Sequence, residues 1–318
     1  MHTHAHACAR ARIVDSNPTR SRVLDATLRR PSAHPARSST TVAAHTLARA
    51  GMFTELNVAF DADAGAGAPR VLAVVDHLDA PSSWLIAALL GARCDAPQAV
   101  VCVAVERAPK ELVVLARKVA KGARDGARRA VERGACTFVD AHASPYGGAW
   151  SVGDGVGDGA VAVSASGMPG RELVDAIARA VVDVQRAFRA SEPTEPTEPA
   201  ASSRTCVIID GTDALEPMTK GAALEKFLDD VYALDEALDV IVCAHGDVGA
   251  ASAWIDDNAD CVIRLEPLKT GSAEDVHGAC ETTHKTNAFR ADGRARRTRV
   301  RYAVSELGVK ITAAPSLT

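Results

Sequence analysis

The chain has 318 residues, of which 47% are apolar and 4% aromatic, enough for one large or two small domains whose core is packed mainly with small side chains. No stretch reaches the roughly 18 apolar residues that a spanning helix needs, so the composition points to a soluble globular protein without a membrane role. The formal net charge is −4, yet residues 1–51 hold eight Arg and two Asp, a balance of +6 that leaves the body at −10; an acidic body argues against a general nucleic-acid-binding surface, which relies on clustered Lys and Arg.

Residues 1–51 are rich in Arg, Ser, Thr, Ala and His and have almost no apolar periodicity. Three readings fit: a disordered tail, an acid-poor transit peptide, or an extension upstream of the true start at Met52. His2, His4 and His6 alternate there, a weak basis for metal binding. From Met52 onward strand-like and helix-like runs alternate. Val71–Asp76 is an apolar strand, Ser82–Ala92 a helix with Pro81 suited to its first turn, and Ala99–Val105 the next strand. Pro109–Arg133 reads as one long amphipathic helix with a basic outer face, stopped by Gly134 before the strand Ala135–Asp140.

Residues 143–170 have the Gly, Ala and Ser content of a loop, and Arg171–Arg189 is helical. The Glu-Pro-Thr repeat within 190–204 neither continues a helix nor pairs, so it is expected as an exposed linker inserted in the domain. Then come the strand Thr205–Asp210, a helix near Lys220–Ala237, the strand Val240–Ala244, a short helix near Ala250–Ile255 and the strand Asp260–Leu265. Continuous apolar strands separated by helices mean a parallel sheet covered on both faces. Short runs at Cys280–His284, Thr298–Val304 and Val309–Thr312 read instead as an antiparallel meander. The expected fold is α/β: a RecA-like, mostly parallel sheet with helices on both faces and a C-terminal antiparallel extension, over residues 52–318 as one domain.

The eight cysteines never form Cys-x-x-Cys and mostly sit in apolar strands, so they are expected as buried hydrophobes in a reducing compartment, with neither zinc nor disulfides. The phosphate-binding loop of such a fold runs Gly-x-x-x-x-Gly-Lys-[Ser/Thr] after the first strand. Here His77-Leu-Asp-Ala-Pro-Ser-Ser-Trp84 stands in its place, without glycine or lysine, and with Asp76 and Asp79 to repel a triphosphate. Asp210 ends a strand where such domains hold a magnesium-directed aspartate, and Glu106 follows one where some hold a water-activating glutamate. Either they are an active centre, or they are the acids that often end parallel strands, here degenerate remnants with nothing to act on. On the second reading the chain has no catalytic residue, cofactor or metal. His142 with Ser144, and His245 with Asp247, are near in sequence but do not by that make an acid–base pair.

Between Thr283 and Arg301 stand Lys285, Arg290, Arg294, Arg296, Arg297, Arg299 and Arg301 against the single acid Asp292. A loop of that charge is a candidate RNA phosphate contact, and equally a solvated hairpin tip or a contact to an acidic neighbouring subunit.

Two separated segments carry a family resemblance. Met52-Phe53-Thr54-Glu55-Leu56-Asn57 and the run from Cys261 through Glu266-Pro267-Leu268 and Thr270-Gly271 to Asp275-Val276-His277-Gly278 resemble the two ends of the Elongator complex protein 6 family. The strand Val207-Ile-Ile-Asp210 fits the same family. The resemblance implies a RecA-like subunit without its own catalysis, forming a heterohexameric ring with Elongator subunits 4 and 5. That ring is attached to the catalytic Elongator subunits, contacts tRNA and supports modification of its wobble uridine, in the cytoplasm and also the nucleus. It also favours Met52 as the start and tilts the basic loop toward tRNA. Two alternatives stay open: a divergent RecA-like ATPase using Asp210 and Glu106, and the sister Elongator subunit 5, which the stretch Asp140–Gly148 slightly resembles.

Overall fold

The computed structural model describes residues 70–96, 98–119, 126–141, 162–164, 170–191, 204–215, 223–246, 251–268, 275–285, 296–305 and 308–313. The strands are β1 (Val71–Asp76), β2 (Ala99–Ala104), β3 (Cys136–Asp140), β4 (Ala162–Ser164), β5 (Thr205–Ile209), β6 (Leu238–His245), β7 (Cys261–Pro267), β8 (Gly278–His284), β9 (Arg296–Ser305) and β10 (Gly308–Ala313). They form one sheet in the order β10-β9-β8-β7-β1-β6-β5-β2-β3-β4. From β7 to β4 neighbours run parallel, and from β7 to β10 antiparallel. The helices are α1 (Ser83–Asp95), α2 (Pro109–Val119), α3 (Gly126–Glu132), α4 (Gly170–Ser191), α5 (Ala223–Tyr232) and α6 (Ser252–Asn258).

The apolar strands are continuous because both sheet faces are covered. Leu72, Val74, Val100 and Cys102 join α1, α2 and α3 in one core, while Val71, Ala73, Val101 and Val103 join α4, α5 and α6 in the other. The expected α/β class, with its parallel core and antiparallel extension, is the observed one.

Several boundaries differ from the expectation. The helix expected over Pro109–Arg133 is two helices, and the second restarts at Gly126, where a Cβ would stand 2.3 Å from Asp95 Oδ1 on α1. A side chain at 126 would force the Asp95 carboxylate to turn aside. Gly134 ends α3 as expected: at φ +70° it closes a Schellman motif, donating to Val131 O while Ala135 donates to Ala130 O. Pro81 lies outside α1, whose N-cap is Ser82. The stretch read as a loop over 143–170 contains β4, which pairs parallel with β3. Residues 1–51, 52–57 and the Glu-Pro-Thr repeat lie outside the described residues.

Candidate functional site

The strand order puts the ends of β1, β6, β5 and β2 side by side along the carboxyl edge of the parallel sheet, where α/β folds of this kind place their ligands. Four side chains of this edge are tied to one another or to its backbone: Asp76, Glu106, Asp210 and His245.

Asp76 ends β1 and is 4% exposed. Its Oδ2 accepts the Ser82 N–H at 2.7 Å, so a carboxylate of the chain itself caps the start of α1. That amide belongs to the helix N-terminus where a phosphate-binding loop would present donors to a nucleotide. Oδ1 of Asp76 meets His245 Nδ1 at 2.5 Å, and His245 Nε2 meets Glu106 Oε1 at 2.8 Å. The imidazole at the end of β6 is thus clasped on both nitrogens. Its backbone N–H donates to Asp213 Oδ2, and the Thr212 hydroxyl donates to Cys243 O at 3.0 Å.

Asp210, 4% exposed, faces the other way. Its Oδ1 accepts the N–H groups of Val105 and Glu106 at 2.5 and 3.1 Å, and its Oδ2 accepts that of Arg107 at 3.1 Å. Both oxygens hold the turn after β2. Among the described residues no group of three or more His, Cys, Asp or Glu is arranged to hold a metal ion. Gly211 lets Glu106 lie across the turn after β5, since a Cβ there would come within 2.4 Å of Glu106 Cγ and Oε1.

Burial sets the electrostatics. It pushes Asp210 up to about 6 despite the three amide donors, and it raises Glu106 against the opposing pull of His245. For His245 burial works downward, but the Asp76 hydrogen bond and the charges of Asp76, Glu106 and Asp213 outweigh it and raise the pKa. These residues do not fit a triphosphate in the usual way: the Ser82 donor is taken by Asp76 and the groups around His245 are acidic.

Two of the solved structures similar to this chain show how far the likeness goes. The KaiC-like protein PH0186 from Pyrococcus horikoshii OT3 is 11% identical with a TM-score of 0.47, over 77% of this chain and 89% of that one. The uncharacterized protein PH0321 from Pyrococcus horikoshii, solved in complex with an unknown peptide, is 10% identical with a TM-score of 0.51, over 77% and 91%. The likeness to PH0321 shows the fold alone, a mostly parallel α/β sheet with an antiparallel extension. No family model and no curated protein matches it.

Sequence reasoning placed Asp210 and Glu106 at this edge, and the structure brings them together through the turn amides. It does not reach the clasp: it considers His245 only beside Asp247 and rejects that pair; Asp247 lies outside the described residues, as do His142 and Ser144. The signal present was positional, since His245 and Asp76 both end apolar strands.

The basic stretch is not all loop. Arg296, Arg297, Arg299 and Arg301 belong to β9, while Arg290 and Arg294 lie outside the described residues. Arg297, Arg299 and Arg301 alternate with the core-facing Val300 and Tyr302, so strand periodicity, not loop freedom, exposes them. Arg299 pairs with Glu266 at 2.7 Å. Lys285 donates to the carbonyls of Ile255 and Asp256 at the end of α6, a helix-terminal contact. The described cysteines are free and buried, and burial pushes the Cys206, Cys261 and Cys280 thiols up to about 12. No described helix is long and apolar enough to cross a membrane.

Proposed function

We propose that the chain is a RecA-like subunit without catalysis of its own, the counterpart of Elongator subunit 6 in a hetero-oligomeric ring with subunits 4 and 5. The observation that carries the non-catalytic part is the Asp76 carboxylate at the start of α1, where a nucleotide's phosphates would sit, with His245 and Glu106 closed over it. The assignment to Elongator rests on the two sequence segments that resemble that family. On this reading the ring serves tRNA wobble-uridine modification in cytoplasm and nucleus, and Arg297 and Arg299 of β9 are exposed cations available to tRNA or a neighbouring subunit.

The test is a pull-down from native extract through a C-terminal tag, with partners and the mature N-terminus read by mass spectrometry. Recovery of the two RecA-like sister subunits with the catalytic Elongator subunits supports the reading. Recovery of the chain alone as a soluble monomer sinks it.

A second reading, a divergent ATPase, is favoured by the placement of Asp210 and Glu106 at strand ends. Asp210→Asn separates the two: an ATPase loses turnover while its assembly persists, whereas on the scaffold reading magnesium–ATP is neither bound nor hydrolysed by the wild type.

A further inference from the structure

The clasp on His245 has a proton count that the strand ends alone do not disclose. Carboxylates only accept, so an imidazole with Asp76 Oδ1 on one nitrogen and Glu106 Oε1 on the other must carry a proton on both, or share one with a carboxyl group. The three groups therefore hold one proton more than two carboxylates and a neutral imidazole do. We infer that Asp76, His245 and Glu106 form a proton-dependent latch over the carboxyl edge, closed while that proton is shared and opened when it leaves.

Which contact gives way follows from burial. The Asp76 side chain is 3% exposed and also held by the Ser82 amide, whereas that of Glu106 is 28% exposed and faces solvent on one side. When His245 becomes neutral, its remaining ring N–H stays with Asp76, and the Glu106 carboxylate loses its donor and gains hydration by swinging off Gly211. The turn backbone stays, because Asp210 holds the amides of residues 105–107 independently. Opening is a side-chain event that exposes His245 Nε2 and the Gly211 backbone.

The charged and titratable groups around the ring all bear on the latch. Asp76 comes from β1, Glu106 and Arg107 from the turn after β2, Asp210 and Asp213 from the segment after β5, and Cys243 from β6 itself; Tyr302 of β9 feels the Asp76 charge. Among the described residues these acids outnumber the cation Arg107, so the surroundings favour keeping the proton. The raised pKa values of His245 and Glu106 point the same way.

The inference rests on the reading that this edge is not a nucleotide site. The experiment is nitrogen-15 NMR of the histidine rings in the full chain between pH 5.5 and 9, His245 being assigned by its loss in His245→Gln. The expected result is a ring protonated on both nitrogens at the acid end of that range, with a midpoint above the ordinary 6.5. Glu106→Gln lowers that midpoint by about one unit, the order expected for losing one close opposite charge. Gly211→Ala removes no titrating group from the chain but displaces the Glu106 carboxylate, and lowers the midpoint likewise. A midpoint at or below 6.5 in the wild type, or one that neither variant moves, overturns the latch. Magnesium–ATP added afterwards tests the underlying reading separately: a shift of the His245 signals by nucleotide sinks the closed-site reading, whereas the latch stands or falls on the titration without it.

Discussion

Two buried charge clusters sit at opposite ends of the same parallel sheet, and they are built in opposite ways. At the carboxyl edge the buried groups are acids, Asp76 and Asp210, and their partners are backbone N–H groups at a helix start and a turn. At the amino edge the cluster centres on Arg93 in the last turn of α1, with Asp239 3.6 Å away and Arg204 3.1 Å from the same carboxylate. Helix N-termini supply donors at one edge and helix C-termini supply carbonyls at the other, so each edge suits the charge that its backbone already favours. The amino edge is less complete: Arg93 is 2% exposed, and its Nε and Nη1 have no hydrogen-bond partner. Asp210 is satisfied by backbone on both oxygens and Asp76 by backbone on one and His245 on the other, whereas the Arg93 charge is paired with the side chain of Asp239.

The sharpest way to break this contrast is Asp239→Ala, which leaves the Arg93 charge buried and unpaired. Its expected cost is about 3–5 kcal/mol by urea denaturation, with Arg93→Met costing much less because charge and partner problem vanish together. If the two substitutions cost the same, the amino edge is not held by the pair.

Next in size is Asp210→Ala, which removes the acceptor of three amides at once. A loss of about 2–4 kcal/mol is expected, with part restored in Asp210→Asn because the amide oxygen still accepts. A cost below about 1 kcal/mol, read from the same unfolding curves, means that water replaces the carboxylate.

Gly211→Ala is expected to cost about 1–2 kcal/mol, because Glu106 must move away from the new methyl group. In Gly211→Ala/Glu106→Ala most of that cost should disappear; additive costs instead would place the strain in the backbone.

Both edges carry a pH dependence, since burial also raises Asp239 against the pull of Arg93 and Arg204, but three interacting groups sit at the carboxyl edge. Asp210, Glu106 and His245 all bind protons more tightly folded than unfolded, from ordinary values of 3.8, 4.5 and 6.5. The burial penalty on the two acids is absent below their ordinary values and complete above their folded ones. The His245 contribution is full below 6.5 and lost as pH rises through its folded value. All three signs agree, so stability conferred by this edge falls as pH rises from about 4 to beyond 6.5. Urea midpoints across that range should show a shallower fall in His245→Gln, and an unchanged slope removes His245 from the account. The smallest effect belongs to the surface: Arg299→Ala should cost under about 0.5 kcal/mol, since its pair with Glu266 is nearly half exposed on both sides.

Much of the fold was legible because its strands are continuous apolar runs and its breaks are chemical, as at Gly134, whose left-handed backbone ends α3. Asp210 and Glu106 were legible as strand-end acids, but their partners were not. The clasp joins positions 169 residues apart, and it exists only because β6 lies between β1 and β5 in the sheet, an order that no local pattern encodes. The strand expected over Thr298–Val304 already held Arg299 and Arg301, but β9 starts two residues earlier, so Arg296 and Arg297, read as loop, belong to it too.

The Asp-Val-His-Gly turn acquires a different meaning from its seat in the structure. His277 Nδ1 accepts the Val304 amide at 2.9 Å, and a Cβ at Gly278 would fall 2.6 Å from Tyr302 Oη and 2.7 Å from Glu266 O. Tyr302 in turn lies 5.0 Å, centroid to centroid, from Trp84 on α1. The turn is a joint that seats the antiparallel extension on the first helix of the core. A chain of this fold can therefore abandon its ligand chemistry altogether and still be obliged to keep this glycine, which makes the motif a marker of architecture rather than of activity.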